Sequence, residues 1–499
     1  MKKQAGILLS VSALPSYYGI GDFGKQARQW IDILASNGYC LWQILPMGPI
    51  GYGNSPYQPY SSYAGDEIYI ALDELVNDGL LDAKYILPYG DLSNHVDYIN
   101  VRKYKEFYIH QAWENCCNSY ILRDEFEQFK KKNSQWLNDY ALFMVFKKRN
   151  NGQCWVNWPN EHKYWPENRT VNLDDYELAM DYEMFEQFVF YRQWEQLKGY
   201  ANSKGIQIMG DVPFYVGLDS CDVWANKASF LLDENCNPTF VAGVPPDYFS
   251  AVGQRWGNPI YNWNYLQDTD YKFWIDRLKH NDRLFDITRV DHFRAFDTYW
   301  KIPASCETAI DGEWVEAPGY QLFDTLYQKC PGIEIVAEDL GMMRDQVYEL
   351  RDHYHLSGMR IFQFECNPDW VSADLHENEN TIVYTGTHDN QTLKGWLNGL
   401  NEQQFENVCD FFAQYDGNSL NEQIIDCCYQ SKAYLVITPL QDILALDDSA
   451  RINVPGTIGS PNWEWKLENF VDVDAKLPKY RQMLTKHHRQ MVGKDKGEI

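Results

Sequence analysis

Eight short apolar runs recur along the chain, and each ends in polar, glycine-containing or proline-containing residues. In chain order they cover residues 5–12, 39–46, 206–214, 284–292, 334–341, 359–365, 381–389 and 434–442. Nearly continuous apolar strands are typical of a parallel sheet that is buried on both faces. Several runs are followed by amphipathic segments, such as GKQARQWIDILASNG (24–38) and RDQVYELRDHYH (344–355). Eight alternating units predict an α/β fold, a closed (β/α)8 TIM barrel.

Two intervals between these runs are too long for a simple crossover helix. Residues 47–205 separate the second and third runs, and residues 215–283 separate the third and fourth. We predict one catalytic barrel over residues 1–499 with long, largely helical insertions after strands 2 and 3. The first insertion is a helical subdomain at about 66–200, and the second is a substrate-loop subdomain at about 215–283. Both begin at the carboxyl end of a strand, where barrels build their active sites.

Charge and composition narrow the class of ligand. The 499 residues include 44 basic and 70 acidic side chains, for a formal net charge of −26, and no basic stripe is present. Nucleic-acid binding needs clustered Lys and Arg, so we expect no nucleic-acid partner and favour a neutral ligand. Tyr and Trp are frequent in loop-like segments such as GYGNSPYQPYSSY (51–63) and GSPNWEW (459–465). Flat apolar rings with polar edges suit sugars.

Cysteine usage and the amino-terminal segment bear on location. The 12 cysteines include the adjacent pairs Cys116-Cys117 and Cys427-Cys428 and no CxxC motif, which favours reduced thiols. The start MKKQAGILLSVSALPS superficially resembles a signal peptide. Its apolar run is short, lacks a small-x-small cleavage site, and reads equally well as a first barrel strand. No run is long and apolar enough to span a bilayer, so we expect a cytoplasmic protein with no membrane partner.

A glycine motif near the amino terminus does not predict a nucleotide site. Gly19, Gly21 and Gly24 match G-x-G-x-x-G, but they lie several residues beyond the preceding strand. No Asp or Glu occurs from 33 to 65, where a ribose-binding acid would stand. The segment GYGNSPY (51–57) also lacks the Lys-Ser/Thr ending of a phosphate-binding loop. We therefore expect no nicotinamide or flavin cofactor.

Acidic residues stand at the predicted carboxyl ends of four strands. They are Asp211, Asp291, the pair Glu338-Asp339, and Asp389, which follows His388. Clustered carboxylates bind hard cations, but the neighbouring Arg and His side chains would compete with a metal, and we predict none. A serine or cysteine triad is not favoured, because the chain has few histidines and no G-x-S-x-G elbow.

Paired carboxylates suit glycoside chemistry, in which one is ionised and the other protonated. Arg289 and Asp291 lie two apart on a strand and share a face, either as a structural ion pair or as a carboxylate held ionised for attack. We predict that Arg289 lowers the pKa of Asp291. Glu338 lies in the apolar run EIVAEDLG, where desolvation would raise its pKa. Asp389 would then bind sugar hydroxyls, although alone it could be a turn or cap residue.

Long segments of the chain resemble glycoside hydrolase family 77, the amylomaltases or disproportionating enzymes. The resemblance rests, in chain order, on AGILLSVSALPSYYGIGDFG, GYGNSPYQPYSSYAG, GDVPFYV, GVPPDYFSAVGQRWGNPIYNW, RVDHFRAF, AEDLG, TGTHDNQT and RINVPGT. It implies a retaining 4-α-glucanotransferase on a (β/α)8 barrel that needs no cofactor. The implied partners are α-1,4-glucans and maltooligosaccharides as donor and acceptor, and glucose as acceptor. One departure is Ala295, where the family pattern has glycine.

The same resemblance implies a role for each site residue. Asp291 would be the nucleophile, Glu338 the acid/base, and Asp389 the acid that stabilises the transition state. The substrate-binding candidates are Arg289, His292, His388, Asp211, Ser55, Tyr57, Tyr248, Phe249, Trp256 and Asn453. Two rival hypotheses are a glucan hydrolase on the same barrel and a non-catalytic glucan-binding protein. The presence of all three acids argues against the second rival, because binding alone needs no acid/base pair.

Overall fold

The computed structural model describes residues 2–90, 93–119, 121–246, 250–372, 375 and 379–491. Eight parallel strands form its central sheet. We number them β1 (Gln4–Leu8), β2 (Leu41–Gln43), β3 (Gln207–Val212), β4 (Ile287–Val290), β5 (Ile335–Ala337), β6 (Gly358–Ile361), β7 (Thr381–Tyr384) and β8 (Leu435–Pro439). Each strand overlaps one of the eight predicted runs.

The strands follow one another around a barrel in chain order. The paired sequence in space is β6-β7-β8-β1-β2-β3-β4-β5. A bridge between Val336 and Ser357 closes the remaining gap, and the amide of Ala337 donates to the Ser357 carbonyl at 2.9 Å. The predicted (β/α)8 barrel is therefore confirmed.

Burial on both faces explains why the strand sequences are almost entirely apolar. Alternate side chains from all eight strands meet in one cluster inside the barrel: Leu8, Leu41, Met209, Ile287, Val336, Met359, Ile382 and Leu435. The intervening side chains, such as Ile7 of β1 and Val383 of β7, belong to a second core that the helices cover. Because successive strand residues point to opposite faces, each strand needs apolar residues at both alternate positions.

Helices surround the barrel and fill the segment between β2 and β3. Those of nine or more residues are Lys25–Ser36, Tyr98–Ser119, Arg123–Lys132, Ser134–Arg149, Glu177–Ser203, Lys272–Leu284, Gly319–Lys329, Asp345–His353, Glu402–Phe412, Leu420–Gln430 and Val471–Lys486. Shorter ones are Leu72–Asn77, Asn160–Lys163, Trp165–Asn168, Cys221–Ala225, Trp263–Asp268, Phe362–Glu365, Leu393–Asn398 and Leu440–Leu444. Among the described residues, no helix combines the length and apolarity needed to cross a membrane.

A four-stranded antiparallel sheet stands beside the barrel and was not predicted. Its strands, in spatial order, are Gln254–Pro259, Phe240–Val244, Thr298–Pro303 and Glu313–Glu316. The second insertion is therefore mixed and not largely helical, because it contributes two strands that pair with each other, and one of them, Phe240–Val244, also pairs with a strand that follows β4. The central pairing joins Phe240 to Pro303, 63 residues along the chain. A pattern read within 215–283 cannot reveal a partner that lies beyond it.

Arg489 ties the seam between the first and last barrel strands. β1 pairs with β8 from Gln4–Leu435 to Leu8–Pro439. The guanidinium of Arg489 is fully buried. It donates to the carbonyls of Ser431 at 2.7 Å, Ala433 at 2.9 Å and Gln4 at 3.2 Å. One side chain therefore satisfies backbone acceptors on both sides of the seam.

Candidate active site

Arg289 is the charged centre of the cleft at the carboxyl ends of the barrel strands. It projects from β4, and its Nη1 donates to both carboxylate oxygens of Asp211 on β3, at 2.8 and 2.7 Å. Its Nη2 lies 3.1 Å from Oδ1 of Asp291, just beyond β4. Arg289 and Asp211 are buried, whereas 33% of the Asp291 side chain is exposed. Arg289 thus forms a buried ion pair with Asp211 and also contacts the carboxylate of Asp291, which a ligand can reach.

Backbone amides hold Glu338 in place at the end of β5. Its Oε2 accepts from the amide of His292 at 2.8 Å, and its Oε1 accepts from the amide of Leu340 at 3.1 Å. The first of these bonds requires the turn after Asp291, where His292 adopts a left-handed φ of 52°. β4 and β5 are paired neighbours, so the sheet brings Asp291 and Glu338 together.

Burial gives the carboxyls of Glu338 and Asp291 different pKa values. Burial raises the pKa of Glu338 to about 8. The negative charge of Asp291 also raises this pKa, whereas the positive charge of Arg289 lowers it. Burial also raises the pKa of Asp291, to about 6, although Arg289 lowers it. Arg289 lowers the pKa of Asp291 as predicted, but burial, which the sequence does not show, outweighs this effect. Near pH 7, Asp291 is ionised and Glu338 protonated.

Asp389 is held by three neighbours after β7. Nδ2 of Asn453 donates to its Oδ1 at 2.6 Å, and Nε2 of His388 lies 3.4 Å from its Oδ2. The Arg451 guanidinium donates to the Asp389 carbonyl at 2.7 Å. About half of the side chain, 48%, is exposed. Asp389 is therefore oriented by the segment after β8 while its carboxylate remains open to a ligand.

Tyr57 connects the loop after β2 to this cluster. Its hydroxyl donates to Oδ2 of Asp211 at 2.7 Å, and its ring stacks on His388 with centroids 4.9 Å apart. Ser55 shapes the turn, since its Oγ accepts from the Tyr57 amide at 3.3 Å. Trp463 packs against both rings at 5.9 Å. Tyr57 thus links the loop after β2 to Asp211 on β3 and to His388 after β7.

The loop that carries Tyr57 is anchored on the helical insertion. Asp66, fully buried, accepts from the amide of Ile50 at 3.0 Å. The same carboxylate accepts two bonds from Arg102, at 2.9 and 3.0 Å, and Arg102 lies on helix Tyr98–Ser119. The insertion therefore positions one wall of the cleft.

His292 and Trp256 form another part of the cleft wall. Their rings meet edge to face with centroids 4.9 Å apart. Burial lowers the pKa of His292 to about 3, so the imidazole is neutral. Its Nε2 is buried and has no hydrogen-bond partner among the described residues. A buried polar atom without a partner is costly, so this nitrogen is suited to bind a ligand hydroxyl.

The structure thus gathers eleven of the thirteen predicted site residues in one neighbourhood or on its adjoining loops. Tyr248 and Phe249 lie outside the described residues, so their places stay a prediction. Two further residues were missed. Arg451 could have been suspected from the motif RINVPGT, whereas Trp463 carries no signal beyond its aromatic loop.

Known proteins are similar to this chain over most of its length. A family model described as 4-alpha-glucanotransferase matches residues 9–472. The 4-alpha-glucanotransferase of Streptococcus pneumoniae is 39% identical over 475 residues, covering 93% of each chain. The protein of the same name from Synechocystis is 41% identical over 475 residues, covering 93% of this chain and 94% of its own. Amylomaltase from Streptococcus agalactiae, solved in complex with acarbose, superposes with a TM-score of 0.93 at 33% identity, covering 98% of this chain and all of that one.

Proposed function

The chain belongs to the 4-alpha-glucanotransferase family, and we propose that Asp291, Glu338 and Asp389 carry the transfer reaction. The enzyme transfers a segment of an α-1,4-glucan from a donor chain to the 4-hydroxyl of an acceptor glucan or glucose. The observation that supports these roles best is the division of charge in the cleft. Asp291, beside Arg289, is ionised, and the buried Glu338 is protonated at the same pH.

In the first step, a carboxylate oxygen of Asp291 attacks C1 of the donor sugar. The bond from C1 to the glycosidic oxygen breaks, and that oxygen takes the proton of Glu338. The products are a glycosyl ester on Asp291, inverted at C1, and a shortened glucan that leaves the cleft. Arg289 stabilises the remaining carboxylate charge until the ester forms, since it lies 3.1 Å from Oδ1.

In the second step, Glu338 acts as the base. Ester formation removes the negative charge of Asp291, and that charge is one of the causes of the raised pKa of Glu338. The pKa of Glu338 therefore falls in the intermediate, which suits it to accept the proton of the acceptor 4-hydroxyl. The acceptor oxygen attacks C1, the ester bond breaks, and a second inversion restores the α linkage.

Asp389 and its neighbours are proposed to bind the sugar that is transferred. The carboxylate, oriented by Asn453 and His388, can accept hydrogen bonds from ring hydroxyls and favour a distorted ring. Arg289 and Asp211 would complete this donor site, and Tyr57 would provide an apolar face. His292, Trp256, Ser55, Tyr248 and Phe249 are proposed to contact the glucan, the last two on sequence grounds alone.

Transfer wins over hydrolysis when an acceptor sugar displaces water from the intermediate. The Trp256 ring and the neutral His292 ring provide a wall on which a sugar can rest. Because the bonds broken and formed are alike, the reaction needs no cofactor. We further propose a cytoplasmic location, supported by the twelve cysteines, all of which lie in the described part of the chain as free thiols.

The proposed domain organisation is one catalytic barrel that carries two inserted subdomains, at about 66–200 and about 215–283. The first is supported by its helices and by the contacts of Arg102 and Asp66, which anchor the Tyr57 loop. The second is supported by two strands, Phe240–Val244 and Gln254–Pro259. The later of these strands contains Trp256.

Incubation with maltotriose alone tests the reaction. We expect glucose together with a ladder of maltooligosaccharides longer than the substrate, resolved by chain length. Maltose and glucose with nothing longer would show a hydrolase and contradict the transfer step. Asp291→Asn should abolish turnover, by at least about 10⁴-fold, because the nucleophile is lost. The same variant should still bind maltooligosaccharides, and loss of binding with retained turnover would refute the assignment.

A further inference from the structure

A second groove lies beside the first barrel helix. Its lining includes Tyr17 and Tyr18 in the turn after β1, Lys25 and Arg28 of helix Lys25–Ser36, and Asp73 and Glu74 of helix Leu72–Asn77. None of these is a residue of the cleft described above. The groove encloses about 810 Å³, a volume typical of small-ligand sites.

Tyrosine rings form the wall of the groove. Tyr17 is 66% exposed. The Tyr18 ring stacks on Tyr104 with centroids 6.4 Å apart, and the Tyr89 ring meets Tyr104 edge-on at 5.2 Å. The Tyr104 hydroxyl donates to the Leu87 carbonyl at 2.7 Å. A shared neighbour therefore fixes two of the three rings, so a ligand finds them already ordered.

Gly19 permits this arrangement. It has a left-handed φ of +85°, and a Cβ added there would lie 2.5 Å from Cε1 of Tyr89 and 2.7 Å from Cγ2 of Val101. Any side chain at this position would displace the Tyr89 ring. The first glycine of the G-x-G-x-x-G match thus allows an aromatic wall to pack against the turn.

The polar groups of the groove balance in charge. Lys25 and Arg28 oppose Asp73 and Glu74, although the whole chain has a net charge of −26. Arg28 lies 3.4 Å from Glu74, and the Tyr18 hydroxyl donates to Asp73. Such a lining offers hydrogen-bond donors and acceptors without favouring a charged ligand. A neutral, hydroxyl-rich ligand with apolar ring faces fits both these polar groups and the wall of tyrosine rings.

We propose that this groove binds α-1,4-glucan as a docking site for long substrates, separate from the catalytic cleft. The choice of ligand rests on the proposed function. The turn that carries Tyr17 follows β1, so the groove opens near the carboxyl ends of the strands, the end at which Asp291 and Glu338 lie. A long chain can then be held at both places, which raises its effective concentration at the cleft. Maltotriose is too short to gain from this.

Tyr17→Ala tests the groove with little risk to folding, because most of this ring is exposed. We expect the variant to raise the KM for amylose relative to the KM for maltotriose by about threefold to tenfold, the loss of one aromatic contact. The matched control is Tyr320→Ala, an equally drastic truncation of a ring that is 42% exposed on helix Gly319–Lys329. The control should leave both values unchanged.

An unchanged ratio of the two KM values in Tyr17→Ala would overturn the inference. Equal increases for amylose and maltotriose would also overturn it, since Tyr17 would then act through the cleft. If the wild-type enzyme fails to convert maltotriose, the proposed function is refuted. The groove is then tested only by the binding of amylose. In gels that contain amylose, Asp291→Asn should be retarded, and adding Tyr17→Ala should reduce the retardation. Equal retardation of the single and double variants would refute the groove.

Discussion

Replacing Glu338 by Gln tests whether this carboxyl is protonated in the folded protein, because its protonation makes the free energy of unfolding depend on pH. Burial raises the pKa of this carboxyl from 4.5 to about 8. Between those pH values the folded chain binds one proton more than the unfolded chain. The stability from this group is fully present below pH 4.5 and is lost as the pH rises toward 8, by about 1.36 kcal/mol per pH unit. Glutamine does not titrate, so the variant lacks this loss.

A second effect of the substitution does not depend on pH. The carboxyl oxygens of Glu338 accept from the amides of His292 and Leu340, and the amide nitrogen of glutamine cannot accept. One backbone amide therefore loses its partner, at a cost of about 1–3 kcal/mol. This cost cancels when two pH values are compared. From pH 5 to pH 7, the free energy of unfolding of the variant minus that of the wild type should rise by about 2–3 kcal/mol.

Urea unfolding of both proteins at pH 5 and pH 7, followed by tryptophan fluorescence, measures this difference. Glu316→Gln is the control, because the Glu316 side chain is 85% exposed. Its effect should stay within about 0.5 kcal/mol at both pH values. If the difference between Glu338→Gln and the wild type is the same at pH 5 and pH 7, Glu338 is not held protonated. That result would refute its role as the acid.

Three further predictions concern activity. The pH profile of kcat/KM on maltotriose should be bell-shaped, with limbs near pH 6 from Asp291 and near pH 8 from Glu338; a flat profile from pH 5 to 9 would contradict both assignments. Asp211→Asn removes a negative charge that raises the pKa of Asp291, so the acidic limb should move to lower pH while kcat falls about 100-fold; an unmoved limb would count against the linkage. Asn453→Ala should lower kcat about tenfold through Asp389, with unchanged thermal stability measured by calorimetry; unchanged kcat would show that this hydrogen bond has no part in catalysis.

The barrel and the proposed catalytic acids could be predicted because their signals are local. Each strand lies in a short apolar run buried on both faces, and Asp291, Glu338 and Asp389 lie near the carboxyl ends of three such runs. In a parallel barrel, all strand ends of one kind lie on one rim, so sequence position alone places these acids together.

The remaining features depend on contacts between distant residues. The Tyr57 hydroxyl meets His388 across 331 residues, and Asn453 reaches Asp389 across 64. Pairing across such distances leaves no periodic pattern in either segment. The pKa of Asp291 was missed for a related reason. The sequence shows the neighbouring Arg289, whereas the burial that outweighs it arises only when β3, β4 and the Tyr57 loop assemble.

The seam that Arg489 ties also sets when a newly made chain can complete its fold. β1 leaves the ribosome more than 400 residues before its partner β8, which spans Leu435–Pro439. Until translation passes that point, β1 and β7 each expose an edge without its neighbour, and such edges pair readily with other chains. The barrel therefore closes only after β8 has been made. A ribosome that stalls before this stage holds the form most prone to aggregate, and the form for which a chaperone would matter most.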